Sequence, residues 1–207
     1  MEAGGCAICH VRARAERSML DTTVAERVLD LGFRAGLERD HAFCRRHVAA
    51  LLVADRRASG ILGSSILFGA MIERRAGALR TALEAHGRRR RSKLMAVRDR
   101  PGCLVCDQAA QAVATAVHRL VERCTDPAWA DVTRDVPFCL DDLVLLLIQG
   151  GDDPALAAVA DAQLERLGGL QARLEGYARH SAQDRRHLLT EAERSAADEA
   201  ARALGGE

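Results

Sequence analysis

A two-part cysteine device, used twice, constrains this chain more than any other feature. Cys6-Ala7-Ile8-Cys9 is followed by Phe43-Cys44-Arg45-Arg46-His47, with 34 residues between Cys9 and Cys44. Cys103-Leu104-Val105-Cys106 is followed by Phe138-Cys139-Leu140-Asp141-Asp142, with 32 residues between Cys106 and Cys139. A C-x-x-C pair at a helix start points both sulfurs into one small volume, where free N–H groups and the positive end of the helix dipole lower thiolate pKa values. Cys44 and His47, three apart at another helix start, share a face. Bringing the two helix starts of the first copy together gives Cys6, Cys9, Cys44 and His47, a closed tetrahedral set suited to Zn2+. The second copy gives Cys103, Cys106 and Cys139, with Asp142 where the first has histidine. Three thiolates with a carboxylate are a less typical zinc set, and three thiolates with an open position also suit an iron–sulfur cluster. Asp142 reads equally as a helix-start charge with no metal contact.

The remaining pattern is helical. Val11, Ala15, Met19, Val24 and Val28 recur at helical spacing after Cys9 and predict one helix ended by Gly32 and Gly36, with a polar connector over 37–41. Phe43-Cys44 opens a second helix through Val48, Leu51 and Leu52, which Ser59-Gly60 interrupts. A long helix over 61–85 follows, with Ile61, Leu62, Ile66, Leu67, Met71, Ile72, Leu79 and Leu83 as a wide buried stripe. Residues 87–93, rich in arginine, read as a basic hinge or helix end, more a solvated linker than a phosphate grip, and Pro101-Gly102 marks a boundary.

The second half repeats the order: a helix after Cys106, a connector containing Asp126-Pro127, and an apolar run over 143–148 that should be deeply buried. Asp152 or Asp153 with Pro154 caps a helix running to about His180. Thr190 and Glu193 form a capping box for the last helix, which Gly205-Gly206 ends. No alternating strand pattern of useful length occurs. The expected fold is all-α: two pseudo-repeated helical lobes, residues 1–100 and 101–207, each organised around a Cys-rich metal site, plus a C-terminal helix.

Aromatic residues are 3% of the chain, so the core is built from Leu, Val, Ile and Ala, and a metal site would contribute folding free energy outright. Residues 1–100 carry 20 basic and 11 acidic side chains, and residues 101–207 carry 10 and 18. The basic run Arg88 to Lys93 is the one candidate for nucleic acid, but it lacks interleaved aromatics and a docking helix, which disfavours that partner. No signal segment precedes Cys6, and the most apolar run, 61–72, is too short for a membrane span. A cytoplasmic location is therefore expected, where thiols stay reduced and paired cysteines bind metal or do redox chemistry rather than form structural disulfides.

Cys6-Ala7-Ile8-Cys9-His10 formally matches the c-type haem attachment pattern, but the second copy reads Cys-Leu-Val-Cys-Asp and no export signal accompanies it. A thioredoxin-like centre would need a βαβ context that is missing. Cys124, outside the repeated device, reads as a core cysteine. His10 and His41 are substitute ligands for His47 without an echo in the second copy.

The order C-x-x-C, helix, Phe-Cys-x-x-His, apolar helix, then the same again, resembles an uncharacterised prokaryotic domain-of-unknown-function family. The tail from Leu174-Glu175-Gly176-Tyr177 through His180, Gln183-Asp184-Arg185 and Thr190 to Glu193 is similar to that family's ending. The resemblance implies a helical metal-binding protein with no established activity. His180, Asp184 and Arg185 would line a functional surface or serve as solvated helix-end charges. The leading functional reading is a zinc-tied binding or adaptor module that recognises a protein partner. An iron–sulfur redox or gas sensor, or electron carrier, is the alternative. A metal-dependent enzyme using Cys139 and Asp142 is third, and lacks an evident general base. Oligomeric state is not legible.

Overall fold

A computed structural model describes residues 5–58, 60–99, 101–126, 128–181 and 185–205. Ser59, Pro127, Gln183, Asp184 and Gly206, which the sequence reading used, lie outside them. Among the described residues there are ten α-helices and no strand: α1 Ala7–Thr22, α2 Leu31–Gly36, α3 Arg45–Ala58, α4 Leu62–Glu84, α5 Gly87–Arg98, α6 Leu104–Thr125, α7 Ala130–Arg134, α8 Leu140–Gly150, α9 Pro154–His180 and α10 Glu191–Gly205. The all-α fold is as expected. No helix among the described residues is long and apolar enough to cross a membrane.

The compact units are not the two sequence halves. An insert unit comprises Ala13–Gln111, and a terminal unit comprises Met1–Arg12 together with Ala112–Glu207. Each has its own apolar core. In the insert unit Met19, Leu20, Val28, Phe33, Leu37, Phe43, Leu51, Leu67, Met71 and Val105 cluster. In the terminal unit Ile8, Val113, Val117, Phe138, Leu143, Leu146, Leu156 and Val159 do so, with Cys124 among them as a core cysteine. The residue between the first two cysteines assigns each C-x-x-C. Ile8 is fully buried in the cluster that contains Phe138, and Val105, at the matching position of the second copy, is fully buried in the cluster that contains Phe43. Burial of a side chain this size is worth about 1.5–3 kcal/mol, enough to select one pairing of segments over another.

Local signals account for most boundaries. Asp153 caps α9 through the N–H of Ala155 at 2.8 Å, with Pro154 in the first turn. Thr190 and Glu193 form the expected capping box: Thr190 N–H donates to Glu193 at 2.8 Å, and Glu193 N–H donates to Thr190 Oγ1 at 3.2 Å. The first helix departs from expectation. The buried Thr23 hydroxyl donates to the carbonyl of Met19, four residues back, and the helix loosens into a π turn over Thr23–Arg27. Asp30 then caps α2 through the N–H groups of Gly32 and Phe33, so Gly32 begins a helix instead of ending one. The connector after α2 is not wholly polar: Leu37 is buried, and Glu38 takes the left-handed conformation (φ 62°) that closes the turn.

Three further differences concern exposure. Residues 87–93 form the first turns of α5, a helix end and not a linker, and none of the residues of that helix is buried, so the stretch is solvated as expected. On α4, Leu67 and Met71 are buried, whereas Leu62, Ile72, Leu79 and Leu83 are exposed because the apolar stripe is wider than its neighbours cover. On α8 only Leu143 and Leu146 of the apolar run are buried, together with Asp142 just before it. Val144 and Ile148 face outward, since a helix packed on one side hides one residue in three or four.

Candidate metal centres

Four helix starts carry the eight candidate ligands, and all four are built alike. Cys6, Cys44, Cys103 and Cys139 each stand just before a helix, and each carbonyl accepts the N–H four residues on: His10 at 3.0 Å, Val48 at 2.9 Å, Asp107 at 2.9 Å and Leu143 at 2.9 Å. The second ligand of each pair, Cys9, His47, Cys106 or Asp142, follows three residues later on the same face. Backbone N–H groups of His47 and Arg46 act on Cys44, and that of Asp142 on Cys139, each favouring the thiolate there.

The partition of the ligands differs from the one that sequence order suggests. Cys6 and Cys9 do not meet Cys44 and His47. One cluster, within the insert unit, is Cys44, His47, Cys103 and Cys106; the other, within the terminal unit, is Cys6, Cys9, Cys139 and Asp142. In each, four ligand atoms lie within 4.8 Å of one another. The i, i+3 spacing is the same in both copies and cannot decide which C-x-x-C joins which Phe-Cys. Backbone bonds add to the apolar contacts in deciding it. Ala42, two before Cys44, accepts from Leu104 N–H and donates to the carbonyl of Gly102, both at 3.0 Å. In the terminal unit Pro137, two before Cys139, accepts from Ala7 N–H at 3.1 Å. Proline has no N–H for the second bond. Buried Gln163 of α9 holds that stretch instead, donating to Val136 O at 2.9 Å and accepting from Phe138 N–H at 3.4 Å.

In the insert cluster His47 Nδ1 caps a triangle of sulfurs, 3.3 Å from Cys44, 3.3 Å from Cys103 and 3.4 Å from Cys106, with Cys44 and Cys106 Sγ 3.9 Å apart. Ligands held by a single zinc ion stand about 3.5–3.8 Å apart, given sulfur at about 2.3 Å and nitrogen at about 2.0–2.1 Å. On the far side of the ring, Glu16 Oε1 stands 3.6 Å from His47 Nε2, and Arg46 pairs with Glu16. Arg46 Nη2 lies closer to the same nitrogen, at 3.3 Å, so two groups compete for it: Glu16 favours the tautomer that leaves Nδ1 free to ligate, and Arg46 favours the other. Burial lowers the His47 pKa, with the Arg46 charge adding and Glu16 opposing, so the imidazole is neutral at pH 7. Burial works to raise the Cys44 thiol, but the His47 N–H and hydrogen bonds from Cys103 and Cys106 outweigh it and pull the pKa down. Cys106 is pushed up to about 12, by burial first and then by Cys103. Cys106 is also exposed, which places this cluster at the surface of its unit.

In the terminal cluster Asp142 Oδ2 takes the capping place, 3.2 Å from Cys6, 2.9 Å from Cys9 and 3.2 Å from Cys139, with Cys9 and Cys139 Sγ 3.8 Å apart. Asp142 is not a solvated helix-start charge but is 2% exposed, and Cys139 is 3% exposed. Arg12 binds the second Asp142 oxygen at 2.9 Å and reaches Cys9 Sγ at 3.4 Å. Burial pushes the Asp142 carboxyl up, but hydrogen bonds from the three thiols and Arg12 outweigh it and hold it below the ordinary carboxylate value. Burial, then the bond to Asp142 and the nearby Cys6, push Cys9 well above the ordinary thiol range. Cys139 rises to about 11, burial again leading. Three thiolates cannot share so small a volume unless a cation joins them.

Arg12, Glu16 and Gln163 were not read from the sequence. Arg12 stands three residues after Cys9, but the matching position after Cys106 is Ala109, so the repeat gave no cue. Neither His10 nor His41 belongs to a cluster; His41 stacks on Phe33 with ring centroids 4.8 Å apart. His180 Nδ1 lies 3.2 Å from Glu193, tying the end of α9 to the start of α10. Asp184 lies outside the described residues.

The fold and sites together define a helical protein with two four-ligand Cys-rich clusters that could hold metal ions. The chain belongs to the family of unknown function DUF6062, whose model matches residues 1–147. That span takes in all eight ligand positions and stops short of the tail on which part of the resemblance rested. No curated protein and no solved structure matches the chain.

Proposed function

We propose that the chain binds two structural Zn2+ ions, one per cluster, and acts as a cytoplasmic binding or adaptor protein whose helix starts the metals hold in place. The observation that carries this reading is that both fourth-ligand atoms cap three sulfurs at 2.9–3.4 Å. Cys44, Cys103, Cys106 and His47 would hold one ion, and Cys6, Cys9, Cys139 and Asp142 the other. In these roles the metal supplies charge compensation and folding free energy. The single-ion spacing also speaks against the iron–sulfur alternative, because a multi-iron cluster places its cysteines on different irons and so farther apart. Burial of Cys139 and Asp142 speaks against an open, catalytic coordination position. All seven cysteines are free thiols, which fits a reducing compartment.

Elemental analysis with an absorption spectrum, on protein purified without oxygen, tests the reading. About two zinc ions per chain and no visible band are expected. Iron with sulfide and a broad visible band would overturn it.

A further inference from the structure

The exposed side of α4 is not random surface. Leu62, Ser65, Gly69, Ile72, Ala76, Leu79 and Leu83 follow one another at alternating steps of three and four, the spacing of a coiled-coil seam. Ile72 is 68% exposed, Leu79 41% and Leu83 49%. Gly69 has open space where a side chain would stand, so a partner backbone can approach closely there. Midway along the seam, Ile72, Ala76 and Leu79 form one wall of a groove of about 590 Å³ that Phe68 of the same helix and Val97 of α5 help to line. A monomer that needed this stripe only for its own core would have covered it.

Charge indicates what covers it. Residues 62–98, the α4–α5 hairpin, carry nine Arg and Lys against two Glu. Arg80 and Arg75, the latter paired with Glu38 at 3.9 Å, flank the seam in sequence, and one end of the groove continues into a polar cleft lined by Arg39 and Arg74 together with Glu38 and Asp99. A second copy meeting this face would set two such basic hairpins together, at an electrostatic cost. Nucleic acid would use the cations and leave the apolar seam wet.

We infer that the α4–α5 hairpin docks an amphipathic helix of another protein, one whose apolar stripe meets the seam and whose flanking residues are acidic. This goes beyond the metal reading and does not depend on which ion fills the clusters. It is helix-in-groove recognition, with apolar anchors for affinity and opposite charge for orientation and on-rate.

The test uses full-length protein as purified and a fluorescein-labelled synthetic helix of about three heptads, Leu on its stripe and Glu beside it. Fluorescence anisotropy should show saturable binding in the micromolar range, at least about tenfold tighter than a scrambled peptide of identical composition. Ile72→Asp and Leu79→Asp, both at exposed positions, should each weaken it about tenfold or more while leaving the melting temperature and metal content in place. No saturable binding up to about a hundred micromolar, or equal binding of the scrambled peptide, would overturn the proposal. So would peptide binding that survives both Asp substitutions. Tighter binding of a DNA duplex, insensitive to Ile72→Asp, would replace it with a nucleic-acid surface. Self-association abolished by Ile72→Asp would replace it with a homodimer face.

Discussion

The insert cluster and the terminal cluster share a scaffold and differ in the fourth ligand. Both place two helix starts nose to nose, and both cap three sulfurs with one harder atom. The insert cluster uses a neutral imidazole backed by Glu16, and its Cys106 is exposed. The terminal cluster uses a buried carboxylate and so carries one more negative charge, which Arg12 offsets from 2.9 Å. The same geometry has thus been balanced in two ways: a carboxylate behind a neutral ligand, and a cation behind a charged one. What surrounds the ligands follows from the charge of the fourth.

The most damaging way to break the comparison is to remove ligands in pairs. Cys6→Ser with Cys139→Ser strikes one cluster and should release one metal ion, whereas Cys6→Ser with Cys44→Ser strikes both and should release two. Counting zinc by mass spectrometry separates the observed partition from the one that sequence order suggests. Each lost cluster should lower Tm by about 6–20 °C, taking about 3–5 kcal/mol for an uncompensated buried site and about 2–4 °C per kcal/mol at this chain length.

Next in size is Arg12→Met. Removing the partner of Asp142 should weaken metal binding in the terminal cluster about tenfold or more and leave the insert cluster unchanged, as competition with a chromophoric chelator would show. Glu16→Gln should produce the reverse pattern with a smaller effect, about three- to tenfold on the insert cluster alone, because it changes the orientation of a neutral ring and not the charge on a ligand. If either substitution moved both clusters equally, the two ways of balancing charge would not be separate.

The smallest effect is kinetic. In metal-stripped protein at pH 7, a thiol whose pKa is lowered is more fully thiolate and alkylates faster, and one whose pKa is raised alkylates more slowly. Cys44, with its lowered pKa and partial exposure, should react with iodoacetamide first, while Cys9 and Cys139, raised by burial, lag behind. Peptide mapping over time gives the order. Raising the pH should shrink the gap, since the raised thiols then ionise too.

The eight residues that form the two clusters were legible because metal chemistry demands particular residues at i, i+3, and that spacing lies within one helix turn. Which pair meets which was not, since it depends on Ile8 finding Phe138 and Val105 finding Phe43 across long stretches of chain. Capping boxes and proline starts were read correctly for the same local reason. Exposure was read worst on α4 and α8, where apolar periodicity suggested burial that the neighbouring helices do not provide. Leu79 and Ile148 carry no mark in the sequence that distinguishes them from Leu67 and Leu146. Arg12 and Glu16 escaped notice because a charged residue on a helix is ordinary until its partner is known.

The nested pairing also sets an order of events during synthesis. Cys6 and Asp142 lie 136 residues apart, whereas Cys44 and Cys106, the farthest pair of the insert cluster, lie 62 apart. Closing the longer loop costs only about 0.6 kcal/mol more per doubling of length, so the finished chain hardly registers the difference. A growing chain does. Cys6, Cys9, Cys44 and His47 all emerge before Cys103 is made, and together they form a complete but wrong set. On the proposed reading, a metal ion bound early would meet the mispaired quartet first, and the native partition would require it to be surrendered when the second C-x-x-C appears.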